Sequence, residues 1–421
     1  MENTLSYAQQ QDQQDPLRSY RDRFLFPKND NGDPLLYFCG NSLGLQPKKT
    51  QEYLSQELED WATYGVEGHT DARHPWMPYH EFLTEQMAQI VGAKPEEVII
   101  MNTLSVNLHL MMVSFYQPTA ERYKIIIERD AFPSDKYAVE SQLQFHGFSP
   151  ENGLILWEPR EGEELCRFED LESILKEKGH EVALLLIGST NYYSGQSFPL
   201  AEITELGHQH GAKVGFDLAH GAGNIQPSLH EVGADFAVWC TYKYLNSGPG
   251  SLGGCFIHER HLDNTGLPRF SGWWGHDKAT RFNMRHDFKP IPTAEGWQLS
   301  NPPILSMAAI RASLDIFAEA GMEALRKKSI QLTGYLEFLL ESLQDPKINL
   351  ITPKNPKERG CQLSIQVKDA DKKLHEQLTK AGVISDWREP DVIRVAPTPL
   401  YNSFEDVYEF VNRLKRIRNE R

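Results

Sequence analysis

Between Tyr123 and His258 the chain alternates short, uninterrupted apolar runs with longer amphipathic stretches. The runs are Tyr123–Glu128, Gly153–Trp157, Val182–Gly188, Val214–Asp217, Asp235–Trp239 and Gly254–His258. They lack the in-out alternation of a half-exposed strand, as expected when helices cover both faces of a parallel sheet. Helix-like stretches such as Asp170–Gly179 and Leu200–His210 fall between them. The alternation predicts an α/β layered domain with a large, mostly parallel sheet. After Asn301-Pro302-Pro303 the pattern changes. A long helical stretch, Leu305 to Leu343 with a break near Gly321, precedes strand-like Gln362–Val367, helix-like Asp371–Lys380, strand-like Val392–Ala396 and a closing helix. Ser403 is its expected N-cap, with Glu405 and Asp406 in the first turn. This predicts a smaller C-terminal α+β domain. At the other end, Ala8 to Asp15 is nearly all glutamine and aspartate. It is expected to be a frayed end, with ordered chain from Pro16 and a helix over Thr50 to Tyr64. The expected division is 1–65 as N-terminal arm and helix, 66–300 as the large domain and 301–421 as the small one.

Composition narrows the partners. Among 421 residues, 43 are basic and 58 acidic, a formal charge of −15. That balance argues against nucleic acid and anionic membranes, which need a dominant positive field, and leaves room for a local pocket for a small anion. No apolar run reaches membrane-spanning length, and the N-terminus is unlike a secretory signal. Five scattered cysteines, Cys39, Cys166, Cys240, Cys255 and Cys361, form no Cys-x-x-Cys pair, so neither a disulfide framework nor structural zinc is expected. The expectation is a cytoplasmic enzyme.

The most informative window is Val214 to Gly250. One strand ends in Asp217 and is followed by Leu218-Ala219-His220-Gly221, while the next leads into Cys240-Thr241-Tyr242-Lys243-Tyr244. In an open α/β sheet ligands sit at the carboxyl ends of strands, so Asp217 and Lys243 can face one crevice. That pairing suits pyridoxal phosphate, which needs a lysine for its Schiff base and a carboxylate for its protonated ring nitrogen. From spacing alone, an ordinary strand-end aspartate with a solvated lysine is the commoner case. Asn102-Thr103-Leu104-Ser105 precedes a helix-like segment whose free amides can hold a phosphate, although Thr103 or Ser105 as a plain N-cap is the commoner case. Phe132-Pro133-Ser134-Asp135 follows another strand; it offers either a ring to stack on a planar cofactor or a simple turn. No Walker loop and no G-x-G-x-x-G fingerprint is present. His208 and His210 read as solvated helix-end histidines, His69 and His74 lack a spaced carboxylate, and no metal site is expected.

Several blocks together resemble one family. They are Tyr37-Phe38-Cys39-Gly40-Asn41-Ser42-Leu43-Gly44-Leu45-Gln46-Pro47, Phe132-Pro133-Ser134-Asp135, Asp217 to His220, and Thr241-Tyr242-Lys243-Tyr244-Leu245-Asn246. Gly272-Trp273-Trp274-Gly275-His276, Ser300-Asn301-Pro302-Pro303-Ile304 and Arg394-Val395-Ala396-Pro397 complete the set. In this order they resemble kynureninase, a pyridoxal-phosphate hydrolase of the aspartate-aminotransferase fold type I, from about Tyr37 to the closing helix. The resemblance implies that Lys243 carries the cofactor and Asp217 pairs with its ring nitrogen. It implies that Phe132 stacks on the ring, that Leu104, Ser105 and Tyr242 hold the phosphate, and that Ser134, Asp135 and His220 complete the shell. It implies a homodimer in which Trp273 and Asn301 reach the neighbouring site. Arg394 matches the clamp for the substrate's α-carboxylate, and Ser42 is counted among the substrate contacts.

The implied reaction is hydrolysis of L-kynurenine or its 3-hydroxy form to an anthranilate and L-alanine, a step of tryptophan catabolism and NAD precursor supply, with Tyr242 as proton relay. His69, Ser300 and Asn301 match residue types found in relatives favouring the 3-hydroxy substrate, where a polar pocket satisfies the extra hydroxyl. Trp274 departs from the phenylalanine of many relatives. The nearest rivals are a cysteine desulfurase, which needs a reactive cysteine that no site here suggests, and an aminotransferase of the same fold. A non-catalytic scaffold is disfavoured because both Lys243 and Asp217 are kept.

Overall fold

In the computed structural model, which describes residues 1–284 and 286–420, the apolar runs form six strands of one seven-stranded sheet. Its strands in chain order are β1 (Val98–Met101), β2 (Lys124–Glu128), β3 (Leu154–Trp157), β4 (Val182–Gly188), β5 (Lys213–Asp217), β6 (Phe236–Cys240) and β7 (Gly253–Ile257). Their spatial order is β1-β7-β6-β5-β4-β2-β3. The run from β3 to β6 is parallel, and β7 is antiparallel to both of its neighbours. Side-chain alternation sends Ile126, Leu185, Val214 and Trp239 to one face, under helices Glu81–Val91, Leu200–Gln209 and Ile304–Ala320. Ile125, Leu184, Phe236 and Val238 go to the other, under Leu104–Phe115 and Pro133–Phe145. Burial on both faces is why these strands read as continuous apolar runs. β1 was not read from the sequence; four apolar residues behind Lys-Pro-Glu-Glu are too short a run to stand out.

A four-stranded antiparallel sheet forms the second body: β8 (Ile348–Leu350), β9 (Leu363–Val367), β10 (Asp386–Arg388) and β11 (Val392–Val395), ordered β8-β9-β11-β10. Helices Met322–Glu341, Lys372–Lys380 and Phe404–Asn419 close its core. The boundary differs from the expected one at 301. Helix Ile304–Ala320 buries Met307, Ile310 and Leu314 in the large core, against helices Thr50–Tyr64 and Glu81–Val91. The chain changes direction only at Gly321, where φ is +74°. The arm before residue 65 serves both bodies: Tyr37 and Leu45 enter the large core, Leu36 and Phe38 the small one.

The N-terminus is a correction. Leu5–Gln14 is a helix, capped when Thr4 Oγ1 accepts from the Tyr7 N–H at 3.2 Å. Its Asp12 accepts the Phe404 and Glu405 N–H groups at 2.7 and 2.9 Å, capping the last helix, while Asp15 pairs with buried Lys328 at 2.7 Å. The polar residues that suggested fraying find partners hundreds of residues away, which no local pattern reveals.

Candidate active site

Glu128, Gly188 and Asp217 are the last residues of β2, β4 and β5, and Tyr242 and Lys243 follow just after β6. The carboxyl edge of the parallel sheet thus collects them at one cleft, as open α/β sheets do. Leu104, Ser105, Phe132, Ser134, Asp135, Thr190, Tyr192, Ala219 and His220 complete its lining. Lys243 Nζ lies 3.1 Å from His220 Nε2 and 5.8 Å from the centre of the Phe132 ring. Ser105 and Ser134 bring their hydroxyls to 3.0 Å, each in the first turn of a helix whose N-cap side chain makes no capping bond. The Ser105 and Ser134 N–H groups are therefore left for a ligand, a suitable setting for phosphate. Asp217 accepts the Ala219 N–H at 2.6 Å.

The Lys243 loop is fixed from outside by the Tyr37 block. The Gly44 N–H donates to the Tyr242 carbonyl at 2.8 Å. A Cβ on Gly44 would come within 2.3 Å of the Lys243 carbonyl, so only glycine permits this contact.

Electrostatics set the protonation of the cleft. Burial, with Asp217 beside it, pushes Asp135 well above the usual carboxyl range. Burial also raises Asp217, but the hydrogen bond from Asp135, the Ala219 N–H and Lys243 all pull it back. Two carboxyls in hydrogen-bond contact share a proton, so Asp135 is the donor and Asp217 the charged acceptor. Burial, helped by Lys243, Arg394 and Arg388, holds the His220 ring neutral. The Tyr242 hydroxyl is pushed up by burial and by Cys240, and keeps its proton.

Arg394 lies on β11, buried, with Asp386 on one side and the Tyr192 carbonyl on another. Its Nε–H has no hydrogen-bond partner, and Tyr192 connects it to the cleft. The other substrate candidates stand elsewhere on this chain: His69 bonds the Val66 carbonyl at 2.9 Å, and Ser42, Ser300 and Asn301 are exposed. Trp273 is half exposed, while Trp274 is buried under the Arg281 guanidinium at 4.3 Å. Glu128, Gly188, Thr190 and Tyr192 were missed by the sequence reading. The rule that found Asp217, a polar residue closing an apolar run, also marks Glu128.

His208 corrects another expectation. It is 2.9 Å from buried Asp235, which also holds His261 at 2.8 Å, Arg260 at 2.9 Å, Lys213 at 3.2 Å and the Val214 N–H at 2.8 Å. Nearby, buried Glu97 accepts from His230, from the Glu259 N–H and from the Lys94 N–H. In a third group, Lys278 bridges Glu81 and Glu295, which also bonds His80.

The donor set fits pyridoxal phosphate: hydroxyls and helix N-termini for the phosphate, a phenyl face for the ring, a charged carboxylate for the ring nitrogen and a lysine for the aldehyde. Fold and site together define a pyridoxal-phosphate-dependent enzyme of the aspartate-aminotransferase fold type. Solved structures agree on the fold. The cysteine desulfurase CsdA from Escherichia coli superposes with a TM-score of 0.76 at 17% identity, over 96% of this chain and 98% of that one. A C-DES variant with glycine covalently linked to its PLP cofactor gives 0.76 at 16%, over 90% and 96%. The narrower relation is with sequences. Kynureninase from Myxococcus xanthus is 58% identical over 98% of this chain and 97% of its own; those from Koribacter versatilis and Flavobacterium psychrophilum are 54% and 52% identical, covering 98% and 99% of this chain and 97% and 98% of their own. Residues 325–414 match the kynureninase C-terminal domain. The chain belongs to the kynureninase family.

Proposed function

We propose that this chain hydrolyses the Cβ–Cγ bond of L-kynurenine or 3-hydroxy-L-kynurenine, with Lys243 as the catalytic amine. The observation that carries the reading is the convergence of Lys243, Asp217, Phe132 and the Ser105–Ser134 pair in one cleft of a chain 58% identical to a named kynureninase. Bound there, pyridoxal phosphate supplies an aldehyde for amine exchange and a ring that withdraws electrons from the substrate's α- and β-carbons. Leu104, Ser105, Ser134 and Tyr242 orient the phosphate, and Phe132 covers one ring face. Asp217, kept charged by Asp135, holds a proton at the ring nitrogen. Lys243 Nζ would hold the cofactor's aldehyde, would take the substrate's α-proton when free, and would return a proton to the α-carbon before alanine leaves; neutral His220 beside it leaves that nitrogen free of a competing charge. Arg394 binds the α-carboxylate. Water adds to the aryl ketone, its oxygen stays with the anthranilate carboxylate, and the β-carbon leaves with the electron pair of the broken bond. Tyr242, whose hydroxyl keeps its proton, supplies the proton that turns that carbon into the methyl group of alanine.

Homodimerisation belongs to the same reading. Trp273, Phe270 and Phe282 are 46%, 58% and 55% exposed, a concentration of apolar surface suited to a second copy. That copy would bring Trp273 and Asn301 to the neighbouring cleft, and His69, Ser300 and Asn301 favour the 3-hydroxy substrate. No helix among the described residues is long and apolar enough to cross a membrane, and we place the reaction in the cytoplasm. A desulfurase reading is disfavoured because burial pushes the Cys39, Cys166 and Cys361 thiols up to about 12 and raises Cys240 and Cys255 as well.

The test is an absorbance spectrum of the loaded protein followed by each substrate in turn. A Schiff-base band that responds, with fluorescent anthranilate appearing, supports the reading; a band with keto acid as product overturns the hydrolysis. A kcat/KM ratio favouring unhydroxylated kynurenine removes the 3-hydroxy preference.

A further inference from the structure

Three carboxyl groups meet at the floor of the cleft, and the family resemblance accounts for two of them. The third, Glu128, closes β2 and lines the cleft beside Asp135 and Asp217. Both of its oxygens accept the Gly188 N–H, at 3.3 and 3.1 Å. Gly188 pairs in register with Asp217, so the Glu128 carboxyl is anchored one strand away from the group that faces the ring nitrogen. The approach requires glycine, since a Cβ at position 188 would sit 2.7 Å from Glu128 Oε1. Neighbouring groups are Asp217, Asp130, Asp135 and the Cys166 thiol. No cation is among them.

We propose that Glu128 is a positioning residue of the cofactor site that works in its protonated form, leaving Asp217 as the one charged carboxylate toward the ring nitrogen. This rests on the cofactor reading above. Side by side and buried, carboxylates cannot all ionise. Asp135 keeps a proton through its bond to Asp217, and Lys243 offers one positive charge to the set. The backbone N–H groups of Gly188 and of Glu128 itself give a negative charge some support, but burial outweighs them and, with Asp217 and Asp130 adding to it, pushes Glu128 up to about 7. Below that value the floor carries a single negative charge. Above it a second charge appears next to Asp217, and cofactor binding must recover a proton.

The experiment measures pyridoxal phosphate dissociation constants for wild type and Glu128→Gln at pH 6 and pH 8, with infrared spectra of the carboxylic C=O stretch across the same range. Glutamine keeps the shape of the neutral acid. The expected result is agreement within twofold at pH 6, wild type about tenfold weaker than the variant at pH 8, and a carboxylic band with midpoint near 7 present only in wild type. Tenfold weaker binding by the variant at pH 6, or identical behaviour at both pH values, overturns the proposal while leaving the cofactor reading intact. Wild type that forms no Schiff-base band overturns both. Should the glutamine variant fail to fold, Gly188→Ala, whose Cβ displaces the carboxyl, must shift that infrared band; an unshifted band counts against the proposal.

Discussion

Strand β5 joins two buried acidic clusters of opposite character. At its start, Lys213 belongs to the group around Asp235; at its end stands Asp217 with Asp135 and Glu128. Burial by itself raises carboxyl groups at both ends. Around Asp235 it is overcome by hydrogen bonds from His208 and His261, the Lys213 ammonium and the Val214 N–H, so this carboxylate stays ionised far below its usual range. At the other end Lys243 offsets Asp135 and Asp217 only in part, and Asp135, Asp217 and Glu128 are all raised. The lesson is that burial does not set a carboxyl's state; the count of donors does. A fully satisfied cluster holds the fold together, whereas an under-supplied one retains protons and positive-charge demand that a ligand can meet.

The contrast can be broken most sharply at Lys243. Lys243→Ala should lower turnover on the order of 10⁴-fold or more and abolish the Schiff-base band. Urea unfolding of the cofactor-free protein should not be weakened, because the amine serves chemistry rather than packing. Asp235→Ala should do the reverse. It leaves the Val214 N–H and several cationic side chains without their acceptor, costing about 3 kcal/mol of stability by urea unfolding; cofactor affinity measured below the unfolding transition should stay unchanged. A similar magnitude separates the clusters by pH. A carboxyl with its folded pKa raised stabilises the protein below the unfolded value and loses that contribution as pH rises through the folded one. Between pH 4.5 and 8 the cofactor-free wild type should lose roughly 3 kcal/mol relative to Glu128→Gln. Asp235 is depressed, so its contribution is complete above the unfolded carboxyl value, is lost only as pH falls below it, and gives no slope in that window. The smallest effect belongs to Asp12, an acid held by two backbone N–H groups. Asp12→Ala should cost about 1 kcal/mol in thermal or urea unfolding and leave turnover untouched; a change in kcat would mean that the N-terminal helix does more than cap.

How much was legible follows from the range of each signal. Six of the seven strands could be read because a strand covered on both faces must be apolar throughout, which leaves a local record. Ser403 could be read as well: it bonds the Asp406 N–H at 3.0 Å, and a capping box is written in four consecutive residues. The helix Leu5–Gln14 could not, since its glutamines and aspartates look solvated until Phe404, Glu405 and Lys328 arrive. His208 was misread for the same reason, because Asp235 lies 27 residues away. Helix Ile304–Ala320 was assigned to the wrong body because two prolines mark a change of direction but not the surface against which the next helix packs.

The layered α/β class, the acid and lysine at strand ends and, through the ordered motifs, the kynureninase family are all legible in the chain. Those are properties of residue order and periodicity. Long-range packing was needed to bring Glu128 to Asp135 and Asp217, to anchor it on the Gly188 N–H, and to leave the shared proton on Asp135 rather than Asp217. Protonation in a buried cleft depends on which donors and charges converge there, and convergence is set by strand pairing between segments far apart in the chain.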